Sequence, residues 1–242
     1  MMKRNNFPFS AVLGLNHAKT AILIVLVNPR AGGLLISGPR GIGKSTLMRS
    51  TQELIERPWR DIPVSVTEDR LFGTIDTEKA IYSGQKKLYP GIINEADQGV
   101  LYLDDANLLR EDLLDFILNI AEVGAYQLER DGLSLRCDTS FTVIAAINPE
   151  SGMLSGACLD QFGLFVNVDN IHDENTRVEI LKRTISFEKD CASFCNLWKL
   201  ENEKIKKAIH SAMSLLPKVV VSSAMIQLAS VYALKAHVSG HR

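Results

Sequence analysis

The sequence predicts an α/β protein, in which a central parallel sheet is flanked by helices and is followed by a partial C-terminal helical region. Two observations lead to this fold class. Short apolar runs alternate with helical segments, the pattern of a parallel sheet that is covered on both faces. From about Glu174 onward the pattern becomes helical throughout. We therefore expect an α/β domain over residues 1–175 and a helical region over residues 176–242.

The first elements lie on either side of a glycine-rich turn. The segment Asn16 to Val27 is predicted to be a helix that ends before Pro29. The short apolar run Leu34 to Ser37 is typical of a buried strand, and it leads directly into the turn. A helix is predicted from Ser45 to Ile55, and the proline at Pro58 ends it. This order is strand, loop and helix.

Three further elements continue the alternation. The run Gly99 to Leu103 is a second buried strand, and Glu111 to Val123 is a helix with apolar residues along one side. The run Phe141 to Ile147 is a third buried strand. Between that helix and that strand, the dipeptide Asp131-Gly132 predicts a β-hairpin. Its arms are Tyr126–Leu128 and Leu133–Leu135.

Net charge and the length of the apolar runs exclude two classes of partner, nucleic acids and membranes. The net charge of −1 and the pI near 6.5 provide no excess of cations for binding a phosphate backbone, so we expect no nucleic-acid partner. The longest apolar run, Ala21 to Val27, is far shorter than the roughly 20 residues of a membrane helix, and the first residues do not resemble a secretory signal. We expect no membrane insertion and a cytoplasmic location.

The four cysteines lack zinc-ribbon spacing and are predicted to be reduced thiols: Cys137, Cys158, Cys191 and Cys195.

The glycine-rich turn fits the phosphate-loop pattern G-x-x-x-x-G-K-[ST] at every fixed position. Such glycines let backbone N–H groups surround phosphates at the positive end of the following helix. Lys44 is predicted to reach the β- and γ-phosphates of ATP, and Ser45 to bind Mg²⁺. The predicted nucleotide contacts are Gly38, Pro39, Arg40, Gly41, Ile42, Gly43, Lys44, Ser45 and Thr46.

Polar residues follow the second and third buried strands. Asp104, at the end of the second strand, is predicted to hold Mg²⁺ together with Ser45. Asp105 lies where a glutamate commonly activates the attacking water, but its stem is one methylene shorter, so it is a weakened base. Asn148 follows the third strand and is predicted to orient water against the γ-phosphate. The alternative for Asn148 is that it only opens an Asn-Pro turn. Together with Lys44, these three residues form the predicted catalytic set.

These motifs resemble those of one family, the ATPase (I) subunit of magnesium chelatase, an AAA+ protein of chlorophyll-type biosynthesis. FPFSAVLG at Phe7 to Gly14 is similar to the family's FPFSAIVG. The long segment Val66 to Leu109 follows the family pattern with few changes, from VTEDR to LYLDDANLL. LERDGLSLR at Leu128 to Arg136 resembles VEREGISIR, and INPESG at Ile147 to Gly152 resembles GNPEEG. The resemblance covers nearly the whole chain.

The resemblance implies a hexameric ring that hydrolyses MgATP to drive metal insertion into a tetrapyrrole. It implies two partners, a subunit with an integrin-like domain and a porphyrin-binding catalytic subunit. The family's two characteristic hairpins map to Leu71–Glu95 and Gln127–Leu135. VSGHR at the end of the sequence resembles DGLRG, so Arg242 is expected to be the second-sensor arginine of a truncated helical lid.

Two departures from the family weaken the predicted hydrolysis. The family's DE pair is Asp104-Asp105 here, and its LDRFG is LDQFG, so Gln161 replaces an arginine that would reach the neighbouring subunit's ATP. Such an arginine is worth about 10³ to 10⁵ in rate. The other arginines that could supply the missing positive charge are Arg130, Arg136 and Arg177.

Two alternatives to a chelatase motor remain open at this level. One is an ATP-binding regulatory paralogue with little turnover, which the two departures favour. The other is a MoxR-type chaperone ATPase, which shares the architecture. The TEDR and ERDGLSLR segments resemble the chelatase subunit more closely.

Overall fold

The computed structural model describes residues 6–75, 88–130 and 133–235. Their helices are α1 (Asn16–Val27), α2 (Lys44–Thr51), α3 (Glu68–Phe72), α4 (Ile92–Glu95), α5 (Glu111–Val123), α6 (Gly156–Asp160), α7 (Glu174–Lys189), α8 (Cys191–Leu215) and α9 (Ser223–Lys235). Their strands are β1 (Leu34–Ser37), β2 (Trp59–Ile62), β3 (Gly73–Ile75), β4 (Leu88–Pro90), β5 (Val100–Leu103), β6 (Ala125–Arg130), β7 (Leu133–Asp138), β8 (Thr142–Ile147) and β9 (Leu164–Asn167).

The main sheet is parallel, as predicted, and has five strands in the order β2-β5-β8-β1-β9. Strand β1 pairs with β8 on one side, where Leu34 lies opposite Ile144, and with β9 on the other, where Leu34 lies opposite Leu164. All three predicted strands are present as β1, β5 and β8. The two strands that the sequence did not predict, β2 and β9, form the edges.

Helices cover both faces of this sheet, because successive side chains of each central strand point to opposite sides. One face packs against α4 and α5 and the other against α1, α2 and α8. The first face carries Leu35, Leu101, Leu103, Val143, Ala145 and Ile147, and the second carries Leu34, Ile36, Val100, Tyr102, Ile144 and Ala146. This double burial accounts for the uninterrupted apolar sequence of the central strands.

The helix after the glycine-rich turn is shorter than predicted. It begins at Lys44 and ends at Thr51, and a 3₁₀ turn at Gln52–Leu54 continues it. Ser50 and Thr51 both donate side-chain hydrogen bonds to the Leu47 carbonyl, at 2.6 and 2.8 Å. Such bonds compete with the backbone ladder and end regular helix early. The helices α1 and α5 have the predicted bounds.

Two antiparallel hairpins project from the α/β core. Strands β6 and β7 form the predicted hairpin, with arms longer than expected, and its turn Asp131-Gly132 lies outside the described residues. Strands β3 and β4 pair within the segment Leu71–Glu95 that the resemblance assigned to the other hairpin. Residues 76–87 of that segment are not described.

The C-terminal part is helical, as predicted. Helix α8 packs on the sheet face that α1 covers through the buried side chain of Ile209, and its buried Phe194 contacts the rings of Phe7 and Phe187. The apolar side chains of α9 are 47–72% exposed: Met225, Ile226, Leu228, Val231, Tyr232 and Leu234. In the described part of the chain no single helix has the length and apolar character to cross a membrane; the bent pair α8 and α9 passes such a test by length and composition alone.

Candidate nucleotide site

The phosphate loop joins β1 to α2, and its three glycines have different physical requirements. Gly41 and Gly43 have φ angles of +81° and +96°, a region that side chains disfavour. A Cβ at Gly41 would meet no atom within 4 Å, so the loop surrounds open space. A Cβ at Gly38 would lie 2.5 Å from Cγ2 of Val168, so this position has no room for a side chain. The glycines therefore shape an open cradle on a tightly packed base.

Lys44 lies in this cradle and is only 7% exposed. Its Nζ donates to the carbonyl oxygens of Gly38 and Pro39, at 2.5 and 2.9 Å. Burial lowers the pKa of Lys44, and the nearby carboxylates of Asp105 and Asp104 act in the opposite direction. The structure thus brings the predicted lysine and both predicted acids into one electrostatic environment.

Asp104 and Ser45 both act on the buried hydroxyl of Tyr102. Burial and then the Asp104 carboxylate raise the pKa of Tyr102, whereas Ser45 lowers it. Neither residue reaches good hydrogen-bond geometry with the hydroxyl, which has no partner among the described residues. A hydroxyl and a carboxylate are oxygen ligands of the type that Mg²⁺ prefers. The donor set and the unpaired oxygen at its centre fit the predicted magnesium site.

Asp105 has a left-handed backbone conformation, with φ 49° and ψ 49°. Aspartate tolerates this region better than most side chains. The Asp105 carbonyl accepts a hydrogen bond from the Leu108 N–H at 2.8 Å, which closes a short 3₁₀ turn at Ala106–Leu108. The chain therefore turns sharply at the predicted base, directly after β5.

Asn148 is 2% exposed and its side chain caps the turn that follows β8. Oδ1 accepts from the Glu150 N–H at 3.2 Å, and Nδ2 donates to Ser151 Oγ at 3.3 Å. The Asn-Pro turn that the sequence offered as the alternative role is therefore present. These bonds leave one Nδ2 hydrogen without an acceptor in the described residues. The carbonyl of Ile147 accepts from the Gly38 N–H at 3.2 Å, which places this strand end beside the phosphate loop.

A cleft of about 850 Å³ opens beside the phosphate loop. Its walls come from the FPFSAVLG segment, the loop, the residues before α7, and α7 itself. The lining combines apolar side chains with two arginines, Arg177 and Arg183, and one carboxylate, Glu188; it also includes Val12, Gly43, Thr46, Ile171 and His172. Both the volume and this mixture are typical of small-ligand sites. The sequence did not identify Val12, Ile171 or His172 as residues of this site. Val12 lies in the FPFSAVLG motif, which was the only signal and to which no contact role was assigned.

The remaining predicted residues are Gln161 and four arginines, of which Arg177 lines the cleft. Gln161 follows α6 and is half-buried. Arg136 forms an ion pair with Asp138 at 3.0 Å on the exposed hairpin. Arg177 lines the cleft and has no ion pair with any described residue. The side chain of Arg130 and the whole of Arg242 are outside the described residues.

The strand order defines the class of protein. The phosphate loop follows β1, the acidic pair follows β5, and β8 lies between these strands and is followed by Asn148. This is the arrangement of an AAA+ P-loop domain, and residues 33–161 match the family model described as AAA domain (dynein-related subfamily).

Comparisons with known proteins identify the family within this class. The magnesium-chelatase 38 kDa subunit of Chlorobaculum tepidum is 33% identical over 98% of this chain and 71% of that protein. The Methanocaldococcus jannaschii magnesium-chelatase subunit ChlI homolog is 31% identical over the whole chain and 76% of that protein. A cryo-EM-based structure of the complex between magnesium-chelatase subunits BchI and BchD matches with a TM-score of 0.65 and 35% identity, over 89% of this chain and 77% of the matched chain. The chain belongs to the magnesium-chelatase ATPase (I) subunit family. The MoxR-type alternative is not favoured.

Proposed function

We propose that this chain binds MgATP and hydrolyses it slowly, as the ATPase subunit of a metal-chelatase complex. The observation that carries the proposal is the open glycine cradle, in which the buried Lys44 lies within electrostatic reach of Asp104 and Asp105. Family membership supports an ATPase-type enzyme.

The loop residues would bind the triphosphate. The first backbone N–H groups of α2, those of Lys44 to Thr46, have no acceptor within the helix and would bind phosphate oxygens there, where the helix dipole favours anions. Lys44 would exchange its two carbonyl acceptors for β- and γ-phosphate oxygens, which are stronger acceptors because they are charged. The adjoining cleft would accept the base and the ribose, with Arg177 as a cation that has no partner within the described residues.

Ser45 and Asp104 would hold Mg²⁺, which when bound offsets the charge on the phosphate oxygens. The Tyr102 hydroxyl is neutral near pH 7 at its ordinary pKa, and burial raises that pKa further, so it would offer Mg²⁺ ligands a neutral neighbour over the whole working range of pH.

Asp105 and Asn148 would act on the attacking water. The water oxygen forms a bond to the γ-phosphorus, the bond to the bridging oxygen breaks, and the proton of the water passes to the Asp105 carboxylate. The Nδ2 hydrogen of Asn148 that has no acceptor in the described part would orient this water or a γ-phosphate oxygen. The turn binds Oδ1 through the Glu150 N–H and takes one of the two Nδ2 hydrogens through Ser151 Oγ, which leaves the second Nδ2 hydrogen for the water. The capping role and the sensor role are therefore compatible.

At the level of the assembly, we propose a ring of such subunits, hexameric in this family, working with an integrin-domain partner and a porphyrin-binding partner. The matched structure contains a BchI–BchD complex, which supports a D-type partner for this chain. ATP turnover in the ring would drive metal insertion into a tetrapyrrole bound elsewhere. We place the boundary between the α/β domain and the helical lid near residue 175, just after the start of α7, and retain Arg242 as the proposed second-sensor arginine.

A second candidate function is ATP binding without turnover. Gln161 favours it, because a neutral amide does not offset the charge that develops on the γ-phosphate. The short stem of Asp105 acts in the same direction. In that case the subunit would regulate or assemble the complex rather than drive it.

The first experiment measures MgATP affinity for the wild type and for Lys44→Ala. Loss of two charge-assisted hydrogen bonds, each worth about 1.5–3 kcal/mol, predicts at least a hundredfold weaker binding. Lys207→Ala removes an exposed lysine from α8 and is the matched control, with unchanged affinity expected. Absence of binding by the wild type, or equal binding by Lys44→Ala, would contradict the proposal. Steady-state phosphate release by the wild type then separates slow hydrolysis from binding alone.

A further inference from the structure

Asn107 connects the two loops that carry the proposed water-activating groups. Its Nδ2 donates to the Asn148 carbonyl at 3.1 Å and to the Gly152 carbonyl at 2.9 Å. The Asn148 carbonyl also accepts the Ser151 N–H at 3.0 Å. Both hydrogens of one amide therefore bind the first and last residues of the 148–152 turn.

The other end of this connection is the strained turn at Asp105. Asn107 is the middle residue of the 3₁₀ turn Ala106–Leu108, which the Asp105 carbonyl closes. Only one residue separates Asn107 from Asp105. A shift of the Asn107 amide therefore moves the 148–152 turn relative to the Asp105 backbone.

The oxygen of the same amide is buried and has no partner in the described part of the chain. An unpaired buried acceptor costs roughly 1–3 kcal/mol. The two donated bonds are the interactions that offset it.

We propose that Asn107 is a positioning residue, which sets the separation between the Asp105 carboxylate and the Asn148 amide. It does not touch the reacting atoms. It acts on the water through these two groups, so this inference rests on the function proposed above. Asn107 should therefore affect stabilisation of the transition state and not ADP binding, because neither Asp105 nor Asn148 is among the groups proposed to bind ADP.

The test compares the affinities of the protein for MgADP and for MgADP with aluminium fluoride, a mimic of the γ-phosphoryl group in transfer. In Asn107→Ala we expect MgADP affinity within about twofold of wild type. We expect the extra affinity for the fluoride complex to fall about 10- to 100-fold, since a misplacement of roughly 1 Å has effects of this size. If turnover is measurable, kcat should fall by a similar factor with little change in KM.

Matched variants separate positioning from loss of fold. Asn94→Ala removes an amide whose Oδ1 accepts from the Tyr126 hydroxyl at 2.6 Å, a contact between two other elements, and should leave the fluoride preference unchanged. Asn107→Ser retains one donor and should recover part of the preference, which also keeps the test open if Asn107→Ala does not fold. In the Asn148→Ala background, Asn107→Ala should cause little further loss.

The outcomes of this test are distinct. A wild type that binds MgADP with and without fluoride equally well overturns the proposed hydrolysis, and the positioning role with it. A wild type that prefers the fluoride complex, together with an Asn107→Ala protein that keeps this preference, overturns the positioning role alone. Additive losses in the double variant also contradict it, since they would mean that Asn107 acts independently of Asn148.

Discussion

The cysteine thiols differ in their surroundings, and this determines their reactivity. Burial, followed by the neighbouring Cys191 thiol, raises the pKa of Cys195 to about 11. Burial and the Asp115 carboxylate, which accepts from Cys158 Sγ at 2.9 Å, raise the pKa of the Cys158 thiol. Because the thiolate is the reactive form, both residues should react slowly near neutral pH.

We predict that the alkylation rate of Cys195 by iodoacetamide rises about tenfold per pH unit up to about pH 11. The sign follows from the raised pKa: below it the thiol is protonated and unreactive. Peptide mass spectrometry of the folded protein between pH 7 and pH 10 measures the rate. Labelling in denaturant supplies the control, where all four thiols should react. A rate that levels off below pH 9 would contradict the assigned environment.

Among single residues, the sequence predicted those site residues that stand at a characteristic spacing from an apolar strand or a motif. Lys44, Asp104 and Asp105 follow apolar strands at recognisable positions, and the structure places them together. Ile171 and Asn107 were not given a role, because their contributions depend on contacts between segments that are far apart in sequence. Side-chain bonds such as that from Asn107 to Gly152 have no periodic signature in a sequence.

Among the elements, β9 depends on a close backbone contact at Gly163. Its N–H donates to the Gly32 carbonyl at 2.7 Å, and a Cβ at this position would lie 1.7 Å from the Ala31 carbonyl oxygen. Since that neighbour is backbone, it cannot rotate away.

We predict that Gly163→Ala lowers the free energy of unfolding by at least about 3 kcal/mol, at the upper end of the cost of overpacking. Gly156→Ala is the matched control, because a Cβ there would meet no atom within 4 Å and the residue begins helix α6. It should be neutral or stabilise by about 0.4–1 kcal/mol. Urea unfolding followed by circular dichroism measures both. Equal stability of the two variants would mean that β9 tolerates displacement.

Central strands could be predicted from the sequence, whereas edge strands could not. The central strands β1, β5 and β8 are buried on both faces and are continuous apolar runs. The edge strand β2 exposes Arg60 and Asp61, and β9 exposes Phe165 and Asn167. Their mixed composition between breakers resembles a loop. Edge strands are defined by pairing to a neighbour rather than by their own hydrophobic pattern.

For the whole molecule, the main question is whether a neighbouring subunit completes the site. We predict that Gln161→Arg raises the ATPase rate by roughly 10²-fold or more, below the upper range for an arginine finger because Asp105 is unchanged. If the arginine acts across subunits, the specific activity should also rise with protein concentration.

Phosphate release measured over a range of protein concentrations tests this prediction. Gln161→Lys is the control variant, since its ammonium lacks the planar fork of a guanidinium and should give a smaller gain. A Gln161→Arg protein with the wild-type rate at every concentration would show that this position does not face a bound nucleotide.

The central position of β1 also bears on how the molecule moves. Strand β1 has hydrogen-bonded neighbours on both sides, and every residue of it is buried. Amide protons of such a strand exchange with solvent only when the domain opens globally. The phosphate loop is therefore attached at one end to a strand whose amide protons we expect to exchange slowly. For the nucleotide binding proposed above, entry and release would therefore involve the loop, the FPFSAVLG segment and α7 rather than the strand behind them.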